Sequence, residues 1–153
     1  MTNNSQAMRQ RPFGKTGLTT PELMLGGGFV GGIMINSDED TRRTALNKVL
    51  DAGSDWIDTA TSYGNGQSET NIGRLLQEMP KERRPRVSSK IGLAPEDLKD
   101  PKSAVRKALE ASLERLQTDK LELYQLHNRI GWSGSQGRDW FTPYDILCPG
   151  GIA

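Results

Sequence analysis

The chain has little with which to perform metal, disulfide or membrane chemistry. Its 153 residues include one cysteine, Cys148, and one histidine, His127. A lone cysteine cannot close an internal disulfide, which fits a reducing compartment and makes the cytoplasm the expected location. One histidine and one cysteine also fall short of the usual zinc ligand set, so no metal site is expected. The longest uncharged stretch, residues 23–35, is well short of the roughly 20 apolar residues that span a bilayer, and glycines interrupt it. Residues 1–11 have no apolar core behind a basic flank, so they do not read as a secretory signal; a disordered lead-in is expected there. An excess of charge is missing too: 20 basic residues face 19 acidic ones, interleaved, for a formal net charge of +1. Nothing in that balance attracts a nucleic-acid backbone or an anionic membrane.

What the chain does have is alternation. Residues 23–26, 55–58, 86–90 and 121–127 read as strands separated by helical stretches, the pattern of an α/β protein with a parallel sheet. Ahead of them, Phe13-Gly14-Lys15-Thr16-Gly17-Leu18 places turn glycines between short β-prone pieces and reads as a hairpin, such as a lid under a barrel. The first helix is expected from Ser37, where Ser37 and Asp40 resemble a capping box, with Ala45, Leu46, Val49 and Leu50 as its buried stripe and Gly53 at its end. The second has Ser68 as N-cap, Ile72, Leu75, Leu76 and Met79 at helical spacing, and Pro80 to stop it. The third opens with Asp100 as cap and Pro101 in its first turn, and carries Val105, Leu109, Leu113 and Leu116 on one face. Past His127 the pattern changes. Residues 129–153 are rich in glycine and proline, with Trp132, Trp140, Phe141 and Tyr144 among them. They read as a long loop, which either shapes a substrate pocket or is a ragged end.

Four polar residues, Asp58, Tyr63, Lys90 and His127, stand at or just past the ends of these strands. In a parallel β/α fold, side chains at the carboxyl ends of strands gather on one rim. A closed eight-stranded barrel takes roughly 250 residues, so the expected fold is about the first four β/α units of a (β/α)8 barrel, preceded by the hairpin. Gly26 to Gly31 also fits G-x-G-x-x-G, but that dinucleotide fingerprint needs a helix to open inside the glycine run, and the cap signal comes only at Ser37. The glycines are read as room for a ligand above the first strand.

At this point the sequence resembles the aldo-keto reductases. The run Gly53-Ser54-Asp55-Trp56-Ile57-Asp58-Thr59-Ala60-Thr61-Ser62-Tyr63-Gly64 is similar to that family's second-strand signature, and Gly66, Ser68 and Glu69 continue it. Ser88-Ser89-Lys90-Ile91-Gly92 resembles the strand that carries its lysine. Leu116, Thr118, Asp119, Leu123, Tyr124, Gln125 and Leu126 lead to His127 as in the segment that ends in its histidine. The resemblance extends over residues 13–153 and is nearest in feel to the aldose or fucose dehydrogenase and pyridoxal dehydrogenase-like branch.

The resemblance implies a catalytic tetrad of Asp58, Tyr63, Lys90 and His127, NADP or NAD as cofactor, and a small carbonyl or alcohol substrate. Gly27, Gly28 and Asp58 become candidate cofactor contacts; Tyr63, His127, Asn128 and Trp132 become candidate substrate contacts. Elementary chemistry agrees with the roles. Hydride addition builds charge on a carbonyl oxygen, so a donor must deliver a proton there. Tyrosine is a weak acid at neutrality, and a cation beside its oxygen makes it a better one. Lys90 would be that cation, Asp58 would keep it charged and oriented, and His127 would hydrogen-bond the carbonyl oxygen. In the family much of the cofactor site lies on later strands, so the alternative is a non-catalytic truncated half-barrel. Its two open sheet edges would then be expected to drive self-association.

Overall fold

The computed structural model describes residues 8–131 and 141–143. Two short antiparallel strands come first, β1 (Gln10–Pro12) and β2 (Thr19–Pro21). Gly14 and Gly17 allow the turn between them, with φ of 56° and 78°. Here the structure corrects the end of the expected lead-in, whose residues 1–7 lie outside the described residues. Gln10 and Arg11 are strand residues facing Pro21 and Thr20, and Arg11 forms an ion pair with Glu22 at 2.5 Å. The hairpin packs under the N-terminal end of the main sheet, where the buried Trp56 donates its indole hydrogen to Thr19 O at 3.0 Å and Ser54 Oγ donates to Leu23 O at 2.6 Å.

The main sheet has four parallel strands in sequence order: β3 (Leu25–Gly26), β4 (Trp56–Asp58), β5 (Arg86–Ile91) and β6 (Leu123–Leu126). Between them run α1 (Ile33–Asn36), α2 (Glu39–Asp51), α3 (Gln67–Glu78) and α4 (Pro101–Leu116). The alternation seen in the sequence is therefore an α/β architecture with every main strand parallel to its neighbour. Ile57 and Val87 face the helices and meet Leu46 of α2, Ile72, Leu75 and Leu76 of α3, and Leu116 of α4 in one core. Because side chains alternate along a strand, Asp58, Ser88 and Lys90 project from the opposite face. Among the described residues no helix is long and apolar enough to cross a membrane.

The helix ends show local chemistry at finer grain. Asp38, not Ser37, caps α2, its carboxylate accepting from Thr41 N at 2.8 Å. The short α1, which no periodicity announced, precedes it. Asp100 caps α4 as expected, accepting from Ser103 N at 3.1 Å, with Pro101 first in the helix. Ser68 does not cap α3. Gly66 holds that position at φ 86°, and Ser68 is drawn into the interior, where it donates to Gly27 O at 2.9 Å. On α4, Leu116 is buried but Val105, Leu109 and Leu113 are half-buried and line an open groove with Lys102, Arg106 and Glu110.

The expected loop from residue 129 also needs correcting. β7 (Arg129–Gly131) and β8 (Phe141–Pro143) pair in parallel, with Ile130 opposite Thr142. Both central residues are β-branched, which favours extended backbone over the loop that the surrounding glycines suggested. Trp132, Trp140, Tyr144 and Cys148 lie outside the described residues.

The helix layer is closest at Gly73 of α3. A Cβ built there would lie 2.4 Å from the backbone oxygen of Arg115 and 2.8 Å from the carbonyl carbon of Leu116. Alanine is the better helix former by about 1 kcal/mol, yet forcing a methyl group between two backbones costs about 1–3 kcal/mol. Gly73→Ala is therefore expected to lower the urea midpoint at unchanged m-value. A raised midpoint would show that the two helices can part without loss.

Candidate functional site

The parallel register of β4 and β5 sets Asp58 beside Ser88. Lys90, two residues further along β5, points from the same face, and its ammonium reaches back across the pair. Lys90 Nζ donates to the Asp58 carboxylate, to Thr59 O at 2.9 Å and to the Tyr63 hydroxyl at 3.4 Å. The other Asp58 oxygen accepts from Ser88 Oγ at 2.8 Å. Only 13 % of the Lys90 side chain and 31 % of that of Asp58 are exposed, so this charge-assisted contact is largely sheltered from water. The ammonium also lies 5.0 Å from the centroid of the Tyr63 ring.

Tyr63 is carried on the tight turn between β4 and α3. Tyr63 N bonds Ala60 O at 3.0 Å, and Ser68 N bonds Tyr63 O at 3.2 Å. Gly64 and Gly66 take left-handed backbone there, and Asn65 does so at φ 52°. Against the phenol ring lies Gly28, where a Cβ would sit 3.2 Å from the ring. At Gly27 a Cβ would meet Ser68 Oγ at 2.6 Å. The bare backbone of these two glycines thus seats the protein's own Ser68 and Tyr63, a tighter packing than the open room read from the sequence.

His127 follows the last residue of β6, and its backbone N–H donates to Ile91 O at 2.7 Å. Its ring meets Tyr63 edge-on with centroids 5.8 Å apart, and its Nδ1 lies 3.4 Å from Ser62 Oγ. Burial, reinforced by the charge of Lys90 and opposed by that of Asp58, holds the imidazole below its usual pKa. Asp58, Tyr63, Lys90 and His127 are thus brought together as expected. Asn128 lines the cavity beside the site, and its amide is engaged with the backbone as well. It is buried, its Oδ1 accepts from Leu93 N at 2.7 Å and its Nδ2 donates to Leu93 O at 2.8 Å, so both ends of the amide clamp the backbone after β5. Trp132 lies outside the described residues.

Several participants were not singled out from the sequence. Ser88 had a legible signal, since i, i+2 spacing puts it on the same strand face as Lys90. Ser62 had only its place next to Tyr63. Beside the site a cavity of about 280 Å³ opens between the turn after β4 and the segment after β5, lined by Thr61, Ser62, Asn65, Leu93, Ala94 and Pro95 among others.

The lowered pKa of His127 gives a pH dependence with a definite sign. The unfolded chain takes up the proton near 6.5, before the folded one does. This group's contribution to stability is therefore full above that value and declines as pH falls from there towards the folded pKa. An NMR titration of the ring should give a midpoint below 6.5. Lys90→Met should raise it, because it removes a repelling charge and leaves the attraction of Asp58. A midpoint that stays put in Lys90→Met would show that the two charges do not interact.

Comparison with known proteins follows the same outline. Residues 22–133 match the profile of the Aldo/keto reductase family. The aldo-keto reductase YhdN of Bacillus subtilis is 35 % identical over 120 residues, which cover 73 % of this chain and 35 % of that protein. The D-threo-aldose 1-dehydrogenase of a Pseudomonas species is 29 % identical over 136 residues, covering 73 % of this chain and 41 % of the relative. A Klebsiella pneumoniae aldo-keto reductase solved in complex with NADPH superposes with a TM-score of 0.61 at 28 % identity, covering 80 % of this chain and 40 % of that one. The chain thus spans well under half the length of these relatives. Matched by the family profile over most of its length, and built on the parallel sheet of its solved relatives, the chain belongs to the aldo-keto reductase family.

Proposed function

We propose that this chain carries the acid–base half of an NAD(P)-dependent oxidoreductase site acting on a small aldehyde, ketone, sugar or alcohol. One observation carries the reading: a single ammonium, that of Lys90, bonds the Asp58 carboxylate on one side and the Tyr63 hydroxyl on the other. A cation held by a carboxylate and aimed at a phenol oxygen suits a tyrosine that must part with a proton and then bear charge. In the reductive direction, Tyr63 delivers its proton to the developing alkoxide while Lys90 steadies the oxygen left behind. Asp58 keeps the Lys90 ammonium aimed. His127, neutral near pH 7, hydrogen-bonds the carbonyl oxygen and sets its approach. In the oxidative direction Tyr63 takes the hydroxyl proton instead.

A nicotinamide cofactor supplies or accepts the hydride when bound. Asp58 and the half-buried Gly28 beside Tyr63 are the contacts we assign to its reacting end, whereas the buried Gly27, filled by Ser68, serves the packing under them. The cavity beside Ser62 suits the rest of a small substrate, with Leu93, Ala94 and Pro95 as an apolar wall. The aldose dehydrogenase among the relatives makes a sugar a reasonable occupant. The reducing cytoplasm suits the single cysteine.

Two measurements test this. Saturable quenching of tryptophan fluorescence by NADPH or NADH is expected from a monodisperse sample; no binding by a folded chain would favour the non-catalytic half-barrel. Given turnover, Tyr63→Phe should lower kcat about 10²–10⁴-fold, the usual worth of a general acid, with cofactor affinity little changed. Equal turnover would remove Tyr63 from its role.

A further inference from the structure

Two asparagines line the cavity beside the site, and they are used in opposite ways. Asn128 is buried, and both ends of its amide are taken by the backbone of Leu93. Asn65 is exposed on the facing turn, and among the described residues its side-chain amide has no hydrogen-bond partner. The other polar groups on that side are engaged: Thr61 Oγ1 meets Ser112 Oγ at 3.3 Å and Arg115 Nη2 at 3.4 Å, and Ser62 Oγ lies 3.4 Å from His127 Nδ1. The turn itself is pinned, since Asn65 N bonds Ser62 O at 3.4 Å and Gln67 N bonds Gly64 O at 3.1 Å. Gly64, Asn65 and Gly66 are left-handed in succession, with φ of 62°, 52° and 86°. Glycine adopts that backbone freely, and asparagine is among the few residue types that bring a side chain to it routinely.

We propose that Asn65 is the residue by which the site selects substrates with neighbouring hydroxyl groups, such as aldoses, over plain aldehydes and alcohols of the same size. This deepens the hydride-transfer reading and rests on it for the reaction. An amide sets an acceptor oxygen beside an N–H donor, and two adjacent hydroxyls answer both at once, one donating and the other accepting. Across the cavity Leu93, Ala94 and Pro95 offer an apolar surface, which suits the C–H groups of a pyranose ring. A volume of about 280 Å³ is at the small end for ligand cavities, room for a single sugar ring. Asn65 follows Tyr63 by two residues, so hydroxyls next to the reacting carbon are read from the same turn that carries the proton donor. The facing wall is tied to Asn128 at Leu93 and has no free amide to offer.

Asn65→Gly separates this role from a purely backbone one, because glycine keeps the left-handed turn and removes the amide. The probes are the D-aldopentoses and 2-hydroxytetrahydropyran, which has the same hemiacetal ring without the hydroxyls on its other carbons. In the ¹⁵N-labelled 153-residue chain, backbone amide signals of residues 61–66 follow binding. At least one pentose should bind with a Kd about tenfold below that of the bare ring, the order of one to two net hydrogen bonds, and should move the Asn65 side-chain N–H signals. In Asn65→Gly the difference between the two probes should vanish while the urea midpoint does not fall. Asn65→Asp, which keeps the turn and lacks the N–H donor, should lose it too. In oxidative turnover, the ratio of kcat/KM for the pentose over that for the bare ring should drop by the same factor in Asn65→Gly. Equal discrimination in the parent and Asn65→Gly would overturn the inference, and so would a parent chain that binds no pentose or binds both probes equally. The binding readout involves no cofactor. Pentose discrimination without any response to NADPH or NADH would sink the hydride-transfer reading alone, whereas cofactor binding with unchanged discrimination in Asn65→Gly would sink only the role of Asn65.

Discussion

A carboxylate sealed from solvent holds the scaffold of the site together. Glu69 is fully buried near the start of α3; its Oε2 accepts from Arg115 Nε of α4 at 2.7 Å and its Oε1 from Ser89 Oγ of β5 at 2.5 Å. Arg115 continues to Thr61 at 3.4 Å and to Ser112 at 3.3 Å. A buried charge deprived of its partner costs about 3–5 kcal/mol, so two helices, one strand and the turn after β4 share a common requirement. Gly66, the residue from which α3 starts, lies directly against Arg115, where a Cβ would meet Cδ at 2.8 Å. The charge pair and the left-handed turn thus depend on each other, and the turn carries Tyr63.

Strand β5 transmits that arrangement to the chemistry. Its neighbouring residues face opposite ways, so Ser89 bonds Glu69 on the helix side while Ser88 and Lys90 bond Asp58 on the other. Two polar clusters are separated by the thickness of one strand. The carboxylate of each is paired and hydrogen-bonded, which is how a sheet tolerates charge on both faces beside a core of Ile57, Val87 and Leu116.

The legible part of this protein was whatever short-range periodicity controls. Strand positions, the caps and stops at Asp100, Pro101 and Pro80, and the gathering of Asp58, Tyr63, Lys90 and His127 all follow from spacing and from the direction of parallel strands. What escaped depends on partners distant in sequence. Ser68 reads as a helix cap because such serines often are, but an interior carbonyl at Gly27 claimed its hydroxyl. Asn128 follows His127 and lines the cavity, but what the sequence does not show is that its amide also matches a backbone pair 35 residues away. The glycines at 27 and 28 signal close approach, and a single sequence does not say whether the approaching group is a ligand or the chain itself. On α4, the row Val105, Leu109 and Leu113 reads as a buried stripe, yet it is only half-buried and lines an open groove with Lys102, Arg106 and Glu110.

The clamp between Asn128 and Leu93 has a dynamic counterpart. Its two bonds reproduce the donor and acceptor pair that a strand residue would offer, at a point where β5 has already ended. The segment after β5 is irregular, but its motion at Leu93 is geared to opening of the sheet rather than to free loop motion. Exchange of the Leu93 amide hydrogen with solvent must await the rarer event. One wall of the cavity beside Ser62 therefore belongs kinetically to the sheet, and adjustment to an occupant falls to the turn on the other side.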